Sequence, residues 1–252
     1  MTATDLFMMR LDPDIARVTR WAESENVLPR GDDGGYAWHA ILKAAFGDLS
    51  PQPFRLVHRA NRNPYLVGYA GVDEAAIRAH AALSADPAVS AAIGLETLAV
   101  KRMPQTFTAG QTLAFEVRVR PTVRQDRNGD RRRSLERDAF LVAIEKAEPR
   151  ENRADIDRVQ VYLEWLRTRL AAGGADLIEA RLVSQKRAMI ARRNRDRKLA
   201  THGNKGGGPD VTFEGTLRIS DPESFMKLLA RGVGRHRSFG FGMLLLKPAR
   251  RR

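Results

Sequence analysis

Ala230-Arg231-Gly232-Val233-Gly234-Arg235-His236-Arg237-Ser238-Phe239-Gly240-Phe241-Gly242-Met243-Leu244-Leu245-Leu246 decides how the rest of the chain reads. Four glycines, three arginines and a histidine crowd into it ahead of an apolar run. Just upstream, Asp221-Pro222-Glu223-Ser224-Phe225-Met226-Lys227-Leu228-Leu229 offers a capping Asp, Pro in the first turn and apolar Phe225, Leu228 and Leu229. That pattern predicts a short helix. Downstream, Phe239, Phe241, Met243 and Leu245 alternate with Gly240, Gly242, Leu244 and Leu246, the two-residue period of a strand. The order is helix, basic glycine turn, strand. A dinucleotide-binding fold needs strand, glycines, helix, so that class is excluded. Glycine permits positive φ and close backbone approach, while Arg231, Arg235 and Arg237 supply phosphate donors. An ordinary connection with solvated charges fits the same residues.

Working outward, the first half begins with a short apolar run, Leu6 to Leu11, suited to a strand. Residues 12 to 35 form a connection with a short helix around Ile15 to Ala22. Over Tyr36 to Phe46, the residues Trp38, Ile41, Leu42, Ala45 and Phe46 fall at the spacing of a buried helical stripe. Pro53 to Arg59 and Tyr65 to Tyr69, parted by Asn61-Arg62-Asn63-Pro64, read as a hairpin. Asp73 to Leu83 is a second helix, and Leu95 to Met103 a fourth strand. This β-α-β-β-α-β order is that of a ferredoxin-like or RRM-like unit.

The second half repeats the order without an obvious sequence repeat. Leu113 to Val119 alternates as a strand, 121 to 153 is charged and turn-rich, and Ile156 to Ala171 is helical. Leu177 to Ser184 and Val211 to Ile219 are strands, followed by the 221 to 230 helix and the last strand. The expected fold is therefore α+β: two tandem ferredoxin-like units with antiparallel sheets and a glycine-rich loop before the final strand. They divide at Pro104 to Gly110 into residues 1–105 and 106–252.

The formal net charge is +13, from 43 Lys and Arg against 30 Asp and Glu. Such an excess favours a polyanionic partner, nucleic acid before membrane. With 43% hydrophobic residues the chain can still bury a core. It has no cysteine, which removes disulfides, thiolate metal sites and thiol nucleophiles. Histidines 39, 58, 80, 202 and 236 lack metal-ligand spacing, so no metal and no cofactor is expected. The first residues do not begin a signal peptide and no apolar run approaches membrane-spanning length, so a cytoplasmic protein without a membrane partner is expected.

Two basic clusters stand out. From 181 to 205, nine Lys or Arg face one acid, Asp196. Lys186, Arg187, Arg192, Arg193, Arg195, Arg197 and Lys198 are candidate phosphate contacts on what reads as a loop between strands. Arg131-Arg132-Arg133 follows Asn128-Gly129, a hairpin-turn pair, and a basic hairpin or loop suits a duplex RNA backbone. Asp126, Asp130 and Glu136 dilute that cluster.

For chemistry, Tyr36, His39 and Lys43 are three and four residues apart and line one stripe at the start of a helix, where the dipole attracts phosphate. Histidine titrates near neutrality and suits proton transfer, lysine suits developing charge, and tyrosine can orient a hydroxyl. A lone helical histidine is more often structural or merely exposed.

The chain resembles the CRISPR repeat-cleaving endoribonucleases of the CasE type. The residues that carry the likeness are Phe213-Glu214-Gly215-Thr216-Leu217, Asp221-Pro222, Gly232-Val233-Gly234-Arg235, Phe239-Gly240-Phe241-Gly242 and Leu244-Leu245. Tyr36, His39 and Phe46 match that family's Tyr-x-x-His pair with an aromatic seven residues on. The chain departs where members often have Asn-Pro-Thr; here it is Arg120-Pro121-Thr122. The resemblance implies two domains side by side and metal-independent cleavage of a repeat hairpin in CRISPR precursor RNA. His39 would be the acid/base and Tyr36 its companion, while helix geometry rather than a family motif assigns Lys43 as the charge stabiliser. Arg231, Arg235, Arg237 and His236 become RNA contacts. The implied partners are the matured guide RNA and other subunits of a CRISPR effector complex. A non-catalytic RNA-binding protein on the same scaffold, or a subtype relying on Arg30 or Arg235, is the competing expectation.

Overall fold

The computed structural model describes residues 5–28, 34–127, 130–147, 155–193, 199–202 and 207–248; over 126–127, 130–134, 191–193 and 199–202 it is the backbone that is described. The first half holds β1 (Phe7–Leu11), α1 (Ile15–Ser24), α2 (Gly35–Phe46), β2 (Phe54–Arg59) and β3 (Arg62–Ala70). It closes with α3 (Glu74–Ser84), α4 (Pro87–Ile93) and β4 (Ala99–Arg102). Its sheet runs β2-β3-β1-β4, every pair antiparallel. The helices cover one face. Trp38, Ile41, Leu42, Ala45 and Phe46 of α2 are buried against Met9, Leu11, Phe54 and Leu66 of the sheet, which is the stripe its spacing predicts.

One difference from expectation lies at 87–93, where the chain forms α4 and β4 is correspondingly shorter. Asp86 caps it by accepting from Ala88 N, Pro87 occupies the first turn, and Gly94 ends it in the left-handed region at φ 65°. A 3₁₀ turn at Leu95–Thr97 then delays the strand to Ala99.

The second half has β5 (Thr112–Val119), β6 (Thr122–Arg127), β7 (Asp130–Asp138), α5 (Ala139–Lys146) and α6 (Arg158–Ala171). Then come β8 (Ala175–Ala188), β9 (Ile190–Arg193), β10 (Leu199–His202), β11 (Gly208–Ile219), α7 (Pro222–Arg231) and β12 (Leu244–Pro248). The main sheet runs β12-β5-β11-β8, again antiparallel. In both sheets the first and third strands are central and the second and fourth lie at the edges. This is the ferredoxin-like arrangement, present twice.

Three stretches differ from the sequence-based expectation. The charged segment 121–153 contains the β6–β7 hairpin and α5, whose first turn is capped by Asp138. Lys186 and Arg187 belong to no loop: β8 stays paired with β11 as far as Ala188↔Gly208, with register shifts near 178 and 183. Beyond it, β9 and β10 pair as a second hairpin. Finally, β12 starts at Leu244 rather than Phe239. Gly240 and Gly242 have φ of 83° and 81°, and residues 237–239 turn as a 3₁₀ helix, so the Phe-Gly alternation is a tight turn.

The two sheets share a core. Leu6, just before β1, and Val67 and Tyr69 of the first are buried in one cluster with Phe115, Val117 and Leu244 of the second. The Tyr69 hydroxyl donates to the Leu244 carbonyl over 2.8 Å, and Arg55 pairs with Glu116 across the same seam. Burial raises the Tyr69 pKa well above the usual phenol value.

Candidate active site

Helix α2 is preceded by its N-cap, Gly34, which takes φ 79° and leaves the first turn without a side-chain cap. With Trp38, Ile41 and Leu42 committed to the core, Tyr36 and His39 remain on a less buried side of the helix. The partner they meet comes from the other half of the chain. After α7, Val233 N donates to Gly242 O (2.8 Å) and Gly242 N to Arg118 O (2.7 Å), stitching the glycine-rich loop to β5. At Gly234, φ is 76° and a Cβ would lie 2.8 Å from the Trp165 ring, so the backbone must pass there without a side chain. The loop then turns back at His236, and Phe239 N donates to His236 O (2.9 Å).

That turn delivers Phe239 onto α2. Its ring stacks on Tyr36 with centroids 6.2 Å apart and meets His39 edge-on at 5.4 Å. Tyr36 and His39 themselves are 6.2 Å apart. Two aromatic rings thus close on one imidazole. Burial pulls the His39 pKa below its usual value, and the charge of Lys43 lowers it further. At neutral pH the imidazole is neutral and able to accept a proton. Lys43 is exposed one turn along and pairs with Asp48 at 3.1 Å, so it acts on His39 through its field.

The loop arginines cluster beside this site. Arg237 donates to the Arg231 carbonyl over 2.6 Å, and Arg235 Nε lies 3.1 Å from Glu136 Oε2. Burial, then the charges of Arg231 and Arg235, pull the Arg237 pKa below its usual value. His236 is enclosed, with 7% of its side chain exposed, and its ring sits 2.6 Å from Glu136 Oε1. For Glu136, burial alone would raise the pKa. The His236 contact, a hydrogen bond from Thr122 and the charge of Arg235 outweigh burial and bring it down to about 2. An ionised carboxylate only accepts, so His236 Nε2 carries the proton.

Lys186 lies 3.5 Å from Asp210, a buried carboxylate gripped by Arg118 at 2.8 and 2.7 Å. Lys186 and Arg118 line a cleft of about 230 Å³ together with Gly35, Trp38, Phe239 and Gly240, which brings Lys186 to the edge of the His39 site. Arg187 donates to Gly207 O over 2.7 Å. Arg120, in the departing Arg-Pro-Thr segment, is buried and donates to Ala188 O over 3.0 Å, holding the end of β8. Arg131, Arg132 and Arg133 fall on β7, and Arg192 and Arg193 on β9. Arg30, Arg195, Arg197 and Lys198 lie outside the described residues.

Sequence reasoning missed Phe239 and Glu136 as parts of this site. The glycines on either side of Phe241 were the available signal for the first. Glu136 had none, because its role depends on residues 235 and 236 meeting it in space.

The chain matches the family described as CRISPR associated protein over residues 6–248. It is 31% identical over 144 residues to the CRISPR-associated endoribonuclease Cse3 of Thermus thermophilus, an alignment covering 55% of this chain and 57% of that protein. A structure of Thermus thermophilus Cse3 bound to an RNA representing a pre-cleavage complex superposes with a TM-score of 0.61 at 19% identity. That match covers 97% of this chain and 100% of the other. The CRISPR-associated protein Cas6e from Escherichia coli gives 0.53 at 16% identity, over 96% and 99% of the two chains. At these identities the structural likeness is one of fold, and it is the tandem ferredoxin-like fold described above. With nearly its whole length matched, the chain belongs to the CRISPR associated protein family.

Proposed function

We propose that the protein is an endoribonuclease that cuts the repeat hairpin of a CRISPR precursor transcript. The observation that carries this reading is the neutral, ring-enclosed His39 beside Tyr36, at the seam where a triple-arginine loop meets the first turn of α2. Similarity to Cse3, an endoribonuclease, supports it.

The reaction is a transesterification that needs no metal. His39 accepts the proton of a ribose 2′-hydroxyl, with Tyr36 orienting that hydroxyl. The 2′-oxygen attacks the adjacent phosphorus and the bond from phosphorus to the 5′-oxygen breaks. A proton returned to the leaving oxygen gives a 5′-hydroxyl and a 2′,3′-cyclic phosphate. Lys43 and the loop cations offset the charge that builds on the phosphorane. In this reading residues 1–105 carry the catalytic helix. Residues 106–252 grip the RNA through Arg231, Arg235, His236, Arg237, Arg131–Arg133, Lys186, Arg187 and the run from Arg192 to Lys198. The product stays bound and joins other subunits of a surveillance complex.

A repeat hairpin with one 2′-deoxy nucleotide just upstream of the cut tests the chemistry. It is expected to bind normally and resist cleavage, while chelator leaves the all-ribose substrate unaffected. His39→Ala is expected to slow cleavage by about two to four orders of magnitude with affinity nearly unchanged. Cleavage of the deoxy substrate would mean water attacks. A hairpin that is bound but never cut would make the protein a non-catalytic RNA binder.

A further inference from the structure

Glu136 is an acid among arginines that the proposed function assigns to RNA. It weakens the phosphate attraction of that surface, since every carboxylate there offsets a cation. What it supplies is connection. Its Oε1 accepts from Thr122 Oγ1 (2.9 Å) and from His236 Nε2 (2.6 Å), and its Oε2 meets Arg235 Nε at 3.1 Å. One carboxylate therefore joins β6, β7 and two successive residues of the glycine-rich loop.

The consequence runs along the loop. His236 has φ 62°, a left-handed conformation that a non-glycine residue keeps only where its surroundings enforce it. Its ring is held by Glu136 and flanked by Phe239 and Phe241, at 6.3 and 6.5 Å between centroids. Its carbonyl receives Phe239 N, closing the 3₁₀ turn that sets Phe239 on Tyr36 and His39. We infer that Glu136 is a positioning residue: by anchoring Arg235 and His236 it seats Phe239 against the Tyr36–His39 pair, and so ties the base of the basic hairpin to the catalytic helix. The inference rests on the cleavage reading above and deepens it, because the hairpin proposed to grip RNA and the imidazole proposed to cut it are then linked through one carboxylate.

The test uses the full chain as Glu136→Gln, as Phe239→Leu, and with both changes. At saturating protein, single-turnover cleavage of a repeat hairpin is expected to fall about tenfold in each single variant, since small misplacements of a catalytic group are costly. The double variant is expected to lose no more than either alone, because both changes undo the same seating of Phe239. Losses that multiply to about a hundredfold would place Glu136 on another route and overturn the inference. Glu136→Gln cleaving within about twofold of wild type would overturn it as well.

A second readout needs no RNA. The chain has five histidines, so the Cε1–H resonance of His39 can be assigned with His39→Gln, and it lies in the ring current of Phe239. Glu136→Gln is expected to move this resonance in the same sense as Phe239→Leu. Should Glu136→Gln not fold, His236→Gln cuts the link from the loop side and is expected to give the same movement. An unmoved resonance overturns the inference even where cleavage drops, since the drop would then reflect stability or RNA contact alone. If wild type cuts no hairpin while the resonance moves, the cleavage reading fails and the structural link stands.

Discussion

His39 is partly buried against Tyr36 and Phe239 and is still within the field of Lys43. Both effects disfavour the imidazolium, so its pKa lies below the usual 6.5, with burial the larger cause. The sign has two consequences. The unfolded chain binds this proton more readily than the folded one, so the contribution of His39 to stability is complete above about pH 6.5 and is lost as the pH falls below it. In cleavage, the rate should rise with pH on the acid side of that value and level off by neutrality. Lys43→Gln removes the repelling charge, so the His39 pKa should move up and the acid limb of the rate profile should shift to higher pH. A histidine titration by NMR alongside the rate profile checks this; a limb that stays put or moves down contradicts it. The Tyr36/His39 pair was legible because three residues of helix fix its geometry locally. Phe239, the ring that covers it, was not, since that contact is made between distant parts of the chain.

At the scale of elements, charge was easier to read than shape. The run containing Lys186 and Arg187 looked like a loop because it is so charged, yet β8 is an edge strand that pairs its backbone with β11 while these side chains stay exposed. The Phe-Gly alternation imitated a strand, and glycine at positive φ turned it into a corner. Asp86-Pro87 was a helix start that the apolar run after it masked. What charge density alone does predict is salt dependence. Replacing Arg192, Arg193, Arg195 and Arg197 with Gln should weaken hairpin binding and flatten the plot of log affinity against log salt. The slope should change by about 0.7 to 0.9 for each phosphate that is no longer neutralised. Affinities measured across a salt series decide it, and an unaltered slope would return the run to a solvated surface.

For the whole molecule, the twofold β-α-β-β-α-β order was legible because periodicity and turn residues act locally. The seam between the sheets was not. Nothing in the pattern of Leu6, Val67 and Tyr69 announces that they are buried with Phe115, Val117 and Leu244. Because that core is common property, with Tyr69 bonded to Leu244 and Arg55 to Glu116 inside it, the two sheets should melt together. Calorimetry is expected to show one transition whose calorimetric and van't Hoff enthalpies agree, and two resolved peaks would mean that the halves are independent. The placement of Phe239 on Tyr36 and His39 has a bearing on heredity. A crossover between diverged relatives in the segment 103–111 would hand down two sheets, each bred against a different companion. Such offspring would carry a mismatched shared core as well as a misplaced Phe239 and, on the cleavage reading, would cut RNA poorly. Lineages that change the face of α2 should therefore change the tip of the glycine-rich loop in step, one inheritance kept in two places.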